Sequence, residues 1–186
     1  MADPQRLRTM IALTTLIASV RPDDSNSAST GFNFNLENSV FRGRNAFGDG
    51  DPLPMVSILE MPVAADQLDS PPESNASSGP WDLLIQGFVK DDKENPTDEA
   101  YRLAADVVRV LAIENSKRNK QRRAGGFAKG AETAILGILT PNGEPAISRI
   151  RIGSPVCRPP DDVSSKTYFW LRVSLDMVED LENPYA

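Results

Sequence analysis

Hydrophobic residues near the start of the chain recur at helical spacing. Asp3 and Pro4 form a typical helix start, an N-cap followed by proline at the first helical position. The apolar face consists of Leu7, Met10, Ile11, Thr14 and Ile17, widened by Leu13, Leu16 and Val20. This spacing predicts an amphipathic helix that packs on a sheet or a neighbour. The apolar run is too short to cross a bilayer, and we expect no membrane contact.

A second helix is predicted after Asn95 and Pro96, which repeat the same start signal. Asp98 then occupies the third helical position, where a carboxylate favours the helix dipole. The positions that we expect to be buried are Ala100, Leu103, Ala104, Val107 and Leu111. The helix is expected to end between Asn115 and Lys120 and to lie across a sheet.

Alternation of apolar and polar residues predicts the strands. A strand is expected from Phe32 towards Arg44, and a central one from Trp81 to Lys90. The apolar stretch 134–139, the turn 141–143 and the stretch 146–153 predict a hairpin with Ile150 and Ile152 facing inwards.

The last strand has the clearest alternation in the chain. Its predicted core face is Thr167, Phe169, Leu171, Val173, Leu175 and Met177. Tyr168 and Trp170 lie on the opposite face, where we expect them to pack under a helix or at a subunit interface.

The stretch 41–60 predicts a hairpin. A basic strand end at Arg42 and Arg44 precedes a Gly/Asp turn, and a Pro-bounded apolar run, 55–59, follows. This second strand is expected to be buried on both faces. Contacts between subunits are often made by such turns and strand edges.

Three stretches are predicted to be loops. Residues 61–80 are acidic and rich in proline and serine, which is typical of a tip or an arm that orders on a partner. Residues 117–130 form a second long loop or arm. The stretch around Cys157 is expected to be a stiff loop in which the cysteine is incidental.

Composition narrows the chemistry that the chain can perform. The 186 residues fit a single domain, 1–186, with a net charge of −6, no histidine and one cysteine. The commonest general base and metal ligand is therefore missing. The carboxylates Asp91, Asp92 and Glu94 are the remaining candidates for an enzyme, but they are more typical of a solvated turn. We predict that the protein is not an enzyme and has no cofactor or metal.

A basic cluster allows two interpretations. It consists of Lys117, Arg118, Lys120, Arg122, Arg123 and Lys129, around the pair Gly125–Gly126. One interpretation is contact with DNA or an acidic partner. The other, slightly favoured, is a helix C-terminus carrying cations that suit its dipole, followed by a flexible loop. The GxxxxGK[ST] spacing of a phosphate loop is missing.

Together these elements predict an α+β fold: a small, mostly antiparallel sheet with two flanking helices and long loops or arms. Three blocks of this chain resemble the tail terminator (tail completion) proteins of tailed bacteriophages. They are RGRNAFGDGDPLPMVSILE (42–60), WDLLIQGFVKDDKENPTDEA (81–100) and CRPPDDVSSKTYFWLRVSLDMVEDLENPY (157–185). The blocks contain 68 of the 186 residues, and they have no catalytic signature.

The resemblance implies a structural virion protein of the tail–neck region, assembled in the host cytoplasm. In that family a homohexameric ring caps the tail tube, stops its polymerisation and offers its other face to neck or head-completion proteins. DNA passes through the lumen without sequence-specific binding. The family has no residue motif with a chemical role that can be carried over to this chain.

We therefore expect strand edges and arms to make the contacts between subunits. The predicted interface residues are Arg42, Arg44, Asp49, Asp51, Pro52, Pro54, Tyr168, Trp170 and Arg172. The alternatives are a head-completion or neck adaptor protein and a nucleic-acid-binding module that uses residues 117–129.

Overall fold

The computed structural model describes residues 2–22, 31–45, 47–48, 50–62, 76–123, 132–162 and 164–185, without the side chains of 76 and 118–123. The helices are α1 (Gln5–Ala18) and α2 (Asp98–Arg123), and a short 3-10 turn spans Ile135–Gly137. The strands are β1 (Val40–Arg42), β2 (Met55–Glu60), β3 (Ala76–Val89), β4 (Ile147–Ile152), β5 (Val156–Arg158) and β6 (Thr167–Asp180). The α+β prediction is confirmed. No helix among the described residues is long and apolar enough to cross a membrane.

The strands form one six-stranded sheet in the order β1-β2-β3-β6-β4, and β5 pairs with another part of β6. All pairs are antiparallel except β1 and β2. Strands β3 and β6 pair from Ala76–Asp180 to Val89–Thr167 without a register shift. The predicted alternation of β6 is confirmed, because every residue of its predicted core face is buried. Both helices contact the main hydrophobic core on that side of the sheet.

The predicted hairpin at 41–60 is wrong. Strand β1 runs parallel to β2, with Val40 opposite Val56 and Arg42 opposite Ile58. A parallel partner requires the chain to cross from one end of the strand to the other. Residues 43–54 make this connection, starting at Gly43 with a φ of 67°. The expectation that β2 is buried on both faces is confirmed, since Met55 to Ile58 are all buried.

The predicted strand from Phe32 to Arg44 is reduced to the three residues of β1. Its first part follows a different path because the carboxylate of Asp106 binds it. The backbone N–H groups of Asn33 and Phe34 donate to one oxygen of Asp106, at 2.7 and 3.0 Å, and the Asn33 side chain donates to the other at 3.0 Å. Asn38, with a φ of 60°, also interrupts the extended backbone.

Helix α1 is present, but its predicted cap and face are partly wrong. Pro4 is the N-cap residue, and no side chain caps this end. The buried stripe is Gln5, Thr9, Leu13 and Ile17, whereas Leu7 is 40% exposed. Two polar residues can be buried there because both are hydrogen-bonded. Gln5 donates to the Val178 carbonyl at 2.7 Å, and Thr9 donates to the Gln5 carbonyl at 2.9 Å.

Helix α2 buries all five predicted core residues. It begins at Asp98, two residues later than predicted, because Asn95 to Thr97 form a turn closed by a bond from Asp98 N to Asn95 O. It continues to Arg123, beyond the predicted end, because residues 117–123 of the predicted loop 117–130 are helical; residues 124–130 lie outside the described residues.

The predicted hairpin 134–153 is confirmed only around its turn. Thr140 N donates to Glu144 O at 2.8 Å and Ala146 N donates to Ile138 O at 3.0 Å, with a bridge between Leu139 and Pro145. The rest of the hairpin is wrong because strand β4 pairs with β6, although Ile150 is buried as predicted. Buried Glu114 accepts a hydrogen bond from Leu136 N at 2.7 Å and holds the 3-10 turn against α2. This tertiary contact replaces the strand.

Two predicted loops contribute strands. The end of the stretch 61–80 belongs to β3, and its residues 63–75 lie outside the described residues. The stretch around Cys157 forms β5, because its backbone pairs with the first residues of β6. Cys157 packs against the main core, and this burial raises the pKa of its thiol.

Candidate assembly interface

The described helices cover one face of the sheet, and no described helix lies on the other. Directly opposed residues of antiparallel strands lie on the same face. Trp170 stands between Gln86 and Val156, and Arg172 stands opposite Leu84, which is itself opposite Leu59. The alternate residues of β6, such as Leu171, face the helices. We call the surface that carries Trp170 and Arg172 the uncovered face.

Residues 41–54 cover one end of the uncovered face. Met55, Phe88 and Tyr168 are buried there, with Phe41, Phe47 and Trp170 packed around them. The rings form a chain of tilted contacts, with centroid distances of 4.6 Å for Phe47–Phe88, 6.1 Å for Phe88–Tyr168 and 5.4 Å for Tyr168–Trp170. This is the range in which aromatic pairs attract beyond their burial. Trp170, at the outer end, is only half-buried.

Arg44 and Asp51 hold this covering segment together. The guanidinium of Arg44 lies 4.8 Å from the ring centroid of Phe41 and 5.3 Å from that of Phe47, and it forms an ion pair with Asp51. The carboxylate of Asp51 also accepts the Gly48 N–H at 2.7 Å. This backbone bond, followed by the bond from Arg44, lowers the pKa of Asp51. Arg44 therefore clamps the two ends of the segment together around Phe47, which packs on Phe88 of β3.

Acid should loosen this clamp. A carboxyl group whose pKa is lower in the folded state stabilises the fold at pH values above its unfolded pKa, which is about 3.9 for aspartate. This stabilisation is lost as the pH falls through the pKa of the folded state. In a Trp81→Phe background, we expect Trp170 fluorescence to change below about pH 4. Arg44 and Lys166 are the cations that act on Asp51. Asp51→Asn is the control, because it should shift this transition; identical acid titrations of both proteins would contradict the role of Asp51.

The rest of the uncovered face carries arginines over aspartates. Arg172 donates to Asp82 at 2.7 Å, and Arg151 donates to Asp176 at 3.0 Å. Asp82 also accepts the Ser174 hydroxyl, and the bonds from Arg172 and then Ser174 lower the pKa of Asp82. The side chains of Arg172 and Arg151 are 62% and 55% exposed, against 29% and 20% for their aspartates. Guanidinium groups therefore form the outer layer.

Composition distinguishes this surface from an ordinary solvated face. Among the described strand residues on it there is no lysine and no glutamate. Apolar Leu59, Leu84 and Trp170 are half-buried at its middle, and Val156 is 51% exposed. Protein interfaces are enriched in arginine and aromatic residues and depleted in lysine and glutamate. The arrangement is suited to binding another protein surface.

The structure brings most of the predicted interface residues together on this side. Arg44, Asp51, Tyr168, Trp170 and Arg172 belong to the clamp, the aromatic cluster and the charged area described above. Tyr168 is only 1% exposed, and the residues packed around it are not helical, so of its two predicted surroundings the helix is wrong and the subunit interface stays a prediction.

The other predicted interface residues are not part of this surface. Pro52 is exposed and Pro54, which follows a cis peptide bond, is half-buried. Arg42 is exposed on edge strand β1, but it stands opposite the core residue Ile58 and therefore lies on the helix side of the sheet, where it makes no ion pair with any described residue. Asp49 lies outside the described residues. Sequence reasoning missed Phe47, Asp82 and Arg151; the alternation of residues 81–90 and 146–153 is the signal that could have found the last two.

The basic cluster is only partly described. Lys117 is exposed and pairs with buried Glu114 at 2.7 Å, a helical i,i+3 contact. The backbone of Arg118, Lys120, Arg122 and Arg123 is helical, so these residues occupy the last turns of α2. Their side chains and residue Lys129 lie outside the described part. The DNA or acidic-partner contact stays a prediction.

Among the described residues, no group of three or more His, Cys, Asp or Glu side chains could hold a metal ion. No model of a known protein family matches this chain, and no curated protein matches it.

Proposed function

We propose that the protein is a structural virion protein that caps the end of a phage tail tube. In this proposal a homohexameric ring ends polymerisation of the tube and offers its other side to a neck or head-completion protein. One observation supports it most. The three sequence blocks that resemble tail terminators contribute β2, β3, β5 and β6, which are adjacent strands of the sheet. Residues far apart in the chain thus converge on one surface, the uncovered face.

The mechanism requires no chemistry on a substrate. Subunits associate through apolar contacts at the middle of the uncovered face and charged contacts around it, and ring closure buries what a monomer exposes. Once a ring has formed, the tube protein meets a surface that differs from its own and cannot add another layer. DNA passes through the lumen without being read.

Assembly and phage morphology test this proposal. Electron microscopy and light scattering of the purified protein, with tube protein present, should give rings with the mass of six chains. Particles of monomer mass at high concentration would contradict it. A phage lacking the protein should make overlong tails; tails of normal length that remain unattached to heads would instead identify a neck adaptor.

Arg42 provides a local test of the predicted edge contact. Because this residue is exposed and unpaired among the described residues, Arg42→Glu should leave the fold intact, while like-charge repulsion at an interface should weaken association about tenfold or more. Lys90→Glu is the matched control, since Lys90 is likewise an exposed cation at the end of a strand, directly after β3. Sedimentation over a concentration series measures the effect. Arg44→Glu is unsuitable alone because it would also break the clamp.

A further inference from the structure

The segment 181–185 is fixed in place but leaves its large apolar side chains in solvent. Leu181 is 51% exposed and Tyr185 is 59% exposed. The carboxylate of Asp180 caps the segment by accepting the N–H groups of Glu182 and Asn183, at 3.0 and 3.3 Å, and the Asn183 side chain at 3.0 Å. Ordering a segment costs conformational entropy, and here little apolar burial within the chain offsets that cost.

The segment is held on the helix side of its own sheet. The backbone N–H of Gln5 donates to the Pro184 carbonyl at 2.8 Å, and Gln5 lies on the stripe of α1 that packs into the main core. Beside this attachment, Arg6 forms a bidentate pair with Glu179 of β6, and its guanidinium lies 5.1 Å from the ring centroid of Trp81. The segment is thus tied to α1, which packs on the other face of the sheet.

The chemistry of the segment complements that of the uncovered face. Leu181 and Tyr185 are apolar and are accompanied by the carboxylate of Glu182. The uncovered face has exposed Val156 and half-buried Trp170 beside the outward guanidinium groups of Arg172 and Arg151. Apolar groups can meet apolar groups while the carboxylate of Glu182 meets an arginine, which is the complementarity that selects a protein partner.

We propose that segment 181–185 of one copy docks on the uncovered face of a second copy. The segment and the face are different surfaces, so the contact is head-to-tail and can repeat around a ring. This docking would supply the contact that closes the proposed ring, and in that respect it rests on the proposed function. Leu181 and Tyr185 insert beside Trp170 and Val156, while Glu182 faces Arg172.

Peptide binding tests the docking directly. A fluorescent peptide VEDLENPYA (178–186) is titrated with the full-length Leu181→Ser, Tyr185→Ser chain, whose own segment cannot compete, and anisotropy gives the Kd. The face variant adds Val156→Ser and Arg172→Gln to this chain. Its matched control adds Tyr101→Ser and Arg102→Gln, an exposed aromatic and an exposed arginine on α2. We expect the face variant to bind at least about tenfold more weakly than the control, as for the loss of interface anchors.

Three results would overturn the docking. They are equal binding to the face variant and the control, no binding to either chain, or undiminished binding of a peptide carrying Leu181→Ser and Tyr185→Ser. If the face variant instead loses affinity for a short DNA duplex at low salt while peptide binding is unchanged, the face is a polyanion surface and the docking is also wrong.

The two proposals can fail separately. Rings that form normally from the Leu181→Ser, Tyr185→Ser chain would leave the proposed function standing and remove the docking. Conversely, the peptide could bind specifically to the uncovered face while the wild-type protein forms no rings, even with tube protein present. That pair of results would support the docking and contradict the proposed ring.

Discussion

Replacing Asp106 by alanine should lower the free energy of unfolding by about 1.5 to 3 kcal/mol, the usual net contribution of hydrogen bonds to a charged group. Asp106 is 2% exposed and accepts two backbone N–H groups and one side-chain amide from residues 33 and 34. No other described acceptor is hydrogen-bonded to these backbone groups. Urea denaturation followed by circular dichroism measures the loss.

Asp106→Asn is the matched control for this prediction. It keeps one oxygen acceptor and the volume of the side chain, so its cost should lie between wild type and Asp106→Ala. An alanine variant within about 0.5 kcal/mol of wild type, the usual range for unimportant surface positions, would show that Asp106 does not anchor this segment.

Gly87→Val should destabilise the protein by about 2 kcal/mol or more, although valine is favoured in strands by up to about 1 kcal/mol. A Cβ atom at position 87 would lie 2.0 Å from Cε1 of Phe169, which is fully buried opposite Gly87 in β6. The aromatic ring fills the space that glycine leaves. Thermal and urea unfolding should both detect the change.

Gly79→Val provides the control in the same strand, because a Cβ there has nothing within 4 Å. We expect that variant to be neutral or slightly stabilising. Shortening the ring should partly relieve the clash, so the cost of Gly87→Val should be smaller by about 1 kcal/mol or more when Phe169→Leu is already present. Strictly additive costs would contradict the proposed contact between positions 87 and 169.

The candidate site was partly predictable because strand alternation assigns residues to faces. Alternation placed Tyr168, Trp170 and Arg172 together on one side of β6, and the turn composition drew attention to Arg44 and Asp51. Alternation could not show that Phe47 contacts Phe88 or that Arg172 contacts Asp82. Those contacts depend on the path of residues 43–54 and on which strands are neighbours in the sheet.

By itself the sequence determined the α+β class, the inner face of β6 and the buried stripe of α2. These features follow from local backbone geometry, because side chains repeat on one face about every 3 to 4 residues in a helix and every 2 residues in a strand. Only the tertiary structure decided the parallel pairing of β1, the path of residues 31–36, the 3-10 turn at 135–137 and the role of β5. Each of these depends on where backbone hydrogen-bonding groups find partners far away in the chain, at Ile58, Asp106, Glu114 and β6. Every buried polar group needs such a partner, and local spacing does not specify which distant residue provides it.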